Sequence, residues 1–161
     1  MDIEIELLPE SERKDLPSSS NLSFGKHLSD HMFLMDYKAD TGWHNARIVP
    51  YGNFSLDPAS ACLHYGQAIF EGLKAYSGKD NKIRLFRAGE NMDRLNHSAW
   101  RMCMPQVDKD ELLQAIKTLI QIDTFWDPVC YRSPELSWAR GGKSVFCCPF
   151  FSSICIIFKS F

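Results

Sequence analysis

The strongest constraint on the fold is a pair of consecutive one-sided helices. From Asp108 the chain reads DKDELLQAIKTLIQI. Asp108 stands three residues before Glu111, as in a capping box, and Leu112, Ile116, Leu119 and Ile120 follow at helical intervals to about Ile122. Just upstream, in GENMDRLNHSAWRMCM, residues Met92, Leu95, Ala99 and Met102 share that spacing and leave Asp93, Asn96 and Arg101 on other faces, until Pro105 ends the run. Two helices with one apolar stripe each need a second layer to bury against. The preceding segments can supply it. HMFLMDY (His31 to Tyr37) is short enough for a strand, and ARIVPYG reads as its hairpin partner ending at Pro50. A further strand is expected from Phe70 through Tyr76; SGKDN then offers turn chemistry, and KIRLF returns with Ile83 and Leu85 on one face. The expected class is therefore α+β, antiparallel hairpins with two amphipathic helices on one sheet face.

A chain of 161 residues makes one domain with a real core. Its expected organisation has three parts. Residues 1–23 form a mobile lead-in, because SERKDLPSSSNL is Ser-rich, polar and broken by Pro17, so order is expected to begin near Phe24. Residues 24–126 form the domain, and 127–161 form a tail of different character. The tail lacks sustained periodicity, has no acidic residue after Glu135 and holds four of the six cysteines; the formal charge is −4 through Trp126 and +2 beyond it. One explanation is a hydrophobic C-terminal extension. The stronger one is translation out of frame or into an intron, which produces composition without selection for a fold.

Several function classes lose support at this stage. A net charge of −2 with 24% charged residues gives no electrostatic case for nucleic acid. The opening MDIEIELLPESERKD is acidic and has neither signal-peptide nor transit-peptide order, so a cytoplasmic location is expected. The longest apolar run, SVFCCPFFSSICIIF, is too short to cross a bilayer and contains Pro149, so no membrane role is expected. No C-x-x-C pair, metal-ligand spacing of histidines, G-x-G-x-x-G or P-loop occurs, so no metal site is expected.

The stretch LHYGQAIFEGLKAY, Leu63 to Tyr76, mixes aromatics, a histidine, glycines and a carboxylate more densely than a plain strand needs. Taken alone, Phe70 is better read as core, and His64 beside Tyr65 as a hydrogen-bonded structural residue. Glu71 and Gly72 read as structural, with the carboxylate accepting a backbone or side-chain hydrogen bond. By spacing alone Arg94 is a surface residue paired with Glu90 four positions earlier.

FGKHLSDHM from Phe24, LHYGQAIFEGLKAY, KIRLFRAGENMDRL from Lys82 and DKDELLQAIKTLIQIDTFW together resemble the branched-chain amino-acid aminotransferases, most specifically at H-Y-x-x-x-x-F-E-G and N-M-D-R-L. These are pyridoxal-phosphate enzymes of fold type IV (the D-amino-acid-aminotransferase-like architecture), homodimers that exchange an amino group between leucine, isoleucine or valine and 2-oxoglutarate. The resemblance covers Phe24 to Trp126 and implies the small N-terminal domain, about the first third of a member. It implies that Arg94 holds the cofactor 5′-phosphate, and that Phe24, Tyr65 and Phe70 line the substrate side-chain pocket. A guanidinium suits the first task by its fixed fork and permanent charge, and aromatic walls suit aliphatic side chains. The lysine that carries the cofactor cannot be placed: Lys143 and Lys159, the tail's two lysines, have surroundings unlike the family's. No catalytic residue is therefore assigned, stable cofactor binding by this chain alone is not expected, and the chain is expected to be a truncated or frame-altered product inactive by itself. Two alternatives stand beside this: a non-catalytic module that pairs with a full-length aminotransferase, and another fold type IV enzyme such as a D-amino-acid aminotransferase or aminodeoxychorismate lyase.

Overall fold

The structure is a computed structural model that describes residues 1–15, 28–53, 55–78, 80 and 82–126, together with the backbone of 156–157. Its first hairpin joins β2 (His31–Lys38) to β3 (Gly42–Pro50), antiparallel from His31 opposite Pro50 to Lys38 opposite Gly42. Gly42 carries the turn at φ +75, a left-handed conformation that glycine adopts without a Cβ penalty. The register shifts between Leu34 and Asp36, where β3 has an extra residue. Asn45, at φ +54, occupies that bulge, and its side-chain amide donates to Asp36 at 2.6 Å.

The lead-in departs from expectation over its first fifteen residues. Rather than moving freely, the chain start forms β1 (Glu4–Ile5), parallel to β3 with Ile5 opposite Ile48, and completes a sheet of order β1-β3-β2. The Met1 ammonium reaches Glu111 at 2.8 Å. The reason lies in partners far away in sequence. Leu8 N–H donates to His31 Nε2 at 2.9 Å, and Lys14 N–H donates to Asp30 at 3.2 Å. With Nε2 accepting, the His31 proton sits on Nδ1 and is donated to Asp123 at 2.6 Å, while Trp126 Nε1–H donates to Asp30 at 3.0 Å. Asp30, His31, Asp123 and Trp126 are all buried, so their polar atoms satisfy one another away from water.

After α1 (Ala61–His64) and β4 (Ala68–Ile69), the second hairpin is β5 (Ala75–Ser77) with β6 (Ile83–Leu85), antiparallel. The strand expected from Phe70 through Tyr76 is thus interrupted: residues 70–74 are not strand. The Gly72 carbonyl there accepts from the Asn91 side chain at 2.9 Å, so a helix rather than a neighbouring strand satisfies it. β4 itself pairs antiparallel with β7 (Ile156–Ile157), the only part of the expected tail within the described residues.

α2 (Ala88–Arg101) buries Ala88, Met92, Leu95 and Ala99, and α3 (Lys109–Ile122) buries Leu112, Ala115, Ile116, Leu119 and Ile120. Asp108 caps α3 as expected, its carboxylate accepting from Asp110 N–H at 3.0 Å and Glu111 N–H at 2.9 Å. Met102, expected on the buried stripe of α2, is instead its exposed C-cap. Cys103 turns left-handed at φ +53, so the helix closes before Pro105 and the stripe ends at Ala99. The two stripes meet in one core with Trp126, and Phe33, Met35, Tyr37 and Trp43 of the first hairpin pack against it. Each fully buried Leu or Ile there contributes about 1.5–3 kcal/mol. Among the described residues the architecture is mixed α and β, with antiparallel hairpins and three α-helices.

Candidate functional site

The site is organised by a carboxylate that the fold has taken out of water. Glu71 stands two residues past the end of β4 and is only 3% exposed. A buried carboxylate needs donors, and α2 supplies them. Asn91 and Arg94, three residues apart, share the helix face turned toward this segment. Arg94 Nε donates to Glu71 Oε2 at 2.7 Å, its Nη2 donates to Oε1, and Asn91 Nδ2 donates to the same Oε1 at 2.8 Å. Burial acts to raise the Glu71 pKa, but hydrogen bonds from Arg94 and Asn91 and the guanidinium charge outweigh it and hold the carboxyl below the usual glutamate range. The Glu71 hydrogen bond in turn raises the Arg94 pKa, so the pair is fully ionised at neutral pH.

The Arg94 side chain is 66% exposed although its partner is buried. The guanidinium is thus anchored on one edge and open on the other. The surface pairing with Glu90 that spacing alone suggests does not form: Glu90 meets Arg87 instead, at 3.4 Å. Among the described residues Arg94 donates side-chain hydrogen bonds to Glu71 alone, which leaves guanidinium donors for an acceptor outside this set. Such an arrangement can receive an oxyanion, and the phosphate of a cofactor fits that chemistry.

Of the expected aromatic residues, Phe70 precedes Glu71 in the chain and is 75% exposed, whereas Glu71 is buried. Tyr65 is 85% exposed. It lines an open depression of about 450 Å3 with Ala61, Gln67, Arg101, Met102 and Cys103, where Gln67 donates to the Met102 carbonyl at 3.1 Å. Arg94 and Phe70 do not line that depression. Phe24 lies outside the described residues. His64 donates to the Pro58 carbonyl at 2.6 Å, the structural bond expected of it. No described group of three His, Cys, Asp or Glu residues is placed to hold a metal ion, and no described helix is long and apolar enough to cross a membrane.

Sequence reasoning missed the partnership of Glu71, Asn91 and Arg94. The available sign was the i, i+3 spacing of Asn91 and Arg94, which puts an amide and a guanidinium on one helix face.

No family model matches the chain. Individual relatives do. Branched-chain-amino-acid aminotransferase 2 of Bacillus subtilis (strain 168) is 50% identical over 118 residues, which are 73% of this chain and 32% of the relative. The curated homologues of this chain are branched-chain-amino-acid aminotransferases. A probable branched-chain-amino-acid aminotransferase of Staphylococcus aureus (strain N315) is 50% identical over 115 residues, 71% of this chain and 32% of that protein. The mitochondrial branched-chain-amino-acid aminotransferase of Rattus norvegicus is 46% identical over 127 residues, 79% of this chain and again 32% of the relative. The chain therefore spans about a third of the length of the curated aminotransferases it matches.

Proposed function

We propose that this chain supplies the cofactor-phosphate anchor and part of the substrate-pocket wall of a branched-chain-amino-acid aminotransferase, within the small domain of the fold type IV architecture. The observation that carries the reading is the outward-facing guanidinium of Arg94, braced from behind by Glu71 in the N-M-D-R-L segment of a chain whose homologues are aminotransferases. Pyridoxal phosphate, when bound, supplies the electron sink for bond breaking at the substrate carbon. The chain's own share is binding and orientation. Arg94 takes phosphate oxygens in a fixed plane and keeps its charge at any working pH. Phe70, with Tyr65 and Phe24, is proposed to offer apolar surface that rewards burial of a leucine, isoleucine or valine side chain by roughly 25 cal/mol per Å2. No proton-transferring base is among these residues, so the chain on its own is proposed to hold the cofactor phosphate weakly and without turnover. The working enzyme is proposed to be a homodimer, and its second substrate 2-oxoglutarate.

Nuclear magnetic resonance of the labelled full chain with pyridoxamine 5′-phosphate or pyridoxamine tests this, since neither condenses with stray lysines. The expected result is a shift at the Arg94 Nε–H and the amides of 70–72 with the phosphorylated compound alone, abolished by Arg94→Gln. Equal responses to both compounds, or shifts confined to other regions, would refute it.

A further inference from the structure

We propose that Glu71 is the positioning residue for Arg94, fixing the plane in which the guanidinium presents its free donors to an anion; this rests on the reading of Arg94 as an anion anchor. Three observations carry it. Glu71 spends both oxygens on the helix, Oε2 on Arg94 Nε at 2.7 Å and Oε1 on Arg94 Nη2 and Asn91 Nδ2. A carboxylate that grips Nε and one Nη together fixes the guanidinium plane as well as its place, which a single contact would not do. Glu71 is itself immobilised, being buried and held by Asn91, whose amide also grips the Gly72 carbonyl at 2.9 Å. Arg94 has no comparable restraint from its own helix, because Glu90 is turned to Arg87.

The rival role for Glu71 is simple charge neutralisation, and the two roles predict opposite signs. Glu71→Gln removes a negative charge beside Arg94. If neutralisation is what Glu71 does, phosphate binding tightens in the variant; if positioning is, binding weakens despite the added net positive charge. The experiment uses the 15N-labelled full chain, inorganic phosphate as probe, and two readouts: phosphate affinity from the Arg94 resonances, and solvent exchange of the Arg94 Nε–H without ligand. Retention of the Trp126 indole resonance shows that the core is intact. Glu71→Gln is expected to speed Nε–H exchange about tenfold and to weaken phosphate binding about three- to tenfold, with Glu71→Asp between the variant and the parent. Unchanged or tighter phosphate binding in Glu71→Gln overturns the proposal. Should phosphate leave Arg94 unperturbed in the parent, the anion-anchor reading fails, and the exchange rate alone decides whether Glu71 positions Arg94: equal rates in parent and variant overturn it. If Glu71→Gln does not fold, Asn91→Ala, which keeps the carboxylate and the guanidinium but loosens the brace, is expected to shift both readouts in the same direction, and no change in either would contradict the proposal.

Discussion

Two buried carboxylates organise polar clusters here, and they are used in opposite ways. Asp123 faces inward only: His31 donates to it from both ring and backbone, and the ring's other nitrogen accepts from Leu8. His31 and Asp123 offer nothing to solvent, and their effect is to tie the chain start, β2 and the end of α3 together. Glu71 is as deeply buried, yet its main partner projects into water. The same chemistry, a desolvated carboxylate satisfied by nitrogen donors, thus makes a closed staple in one place and an outward-facing cation in the other. The difference is in the partner. A histidine ring that is buried whole completes a network, whereas a guanidinium has more donors than one carboxylate can absorb.

The comparison breaks first at the staple. Asp123→Ala should cost about 3 kcal/mol, because it strands two buried donors of His31, and urea unfolding followed by Trp126 fluorescence should show the lowered midpoint. A loss under about 0.5 kcal/mol would mean the network is not a stabilising device. Arg94→Ala should cost less, about 1–2 kcal/mol in the same assay, since Glu71 keeps Asn91 and the lost guanidinium was already largely hydrated.

The pH dependence of that second loss sharpens the contrast. Glu71 has a folded-state pKa below its unfolded value, so its stabilisation is complete above about pH 4.3 and is withdrawn as pH falls through the lowered folded value. In Arg94→Ala the lowering influence is largely gone and burial pushes the carboxyl up. The stability gap between parent and variant should therefore be widest above about pH 4.3 and should close on acidification. A gap that widens in acid would reverse the assignment. The smallest effect belongs to Glu90→Ala: its partner Arg87 is exposed, so stability should change by less than about 0.5 kcal/mol and the Arg94 Nε–H resonance should not move.

Where local pattern decides, the fold was readable. α3 follows from its cap and stripe, and the first hairpin from two apolar runs around a turn. The ground for proposing Arg94 as an anchor is likewise a motif, since spacing alone pairs it with Glu90. What the sequence did not reveal depends on distant partners. The break at 70–74 arises because Asn91 and Arg94, about twenty residues later, claim the polar groups of Glu71 and Gly72. The order at the chain start depends on His31, and His31 on Asp123, 92 positions away. An i, i+4 neighbour such as Glu90 is visible from spacing, but whether it wins the cation from a buried competitor is a tertiary outcome.

Footprinting of the full chain with p-hydroxyphenylglyoxal, read by mass spectrometry, tests most directly whether Arg94 is an outward anchor for a phosphate. Arg94 is expected to be modified in the free chain, and pyridoxamine 5′-phosphate is expected to slow this severalfold while pyridoxamine does not. Modification of Arg94 at one rate in all three conditions would contradict it.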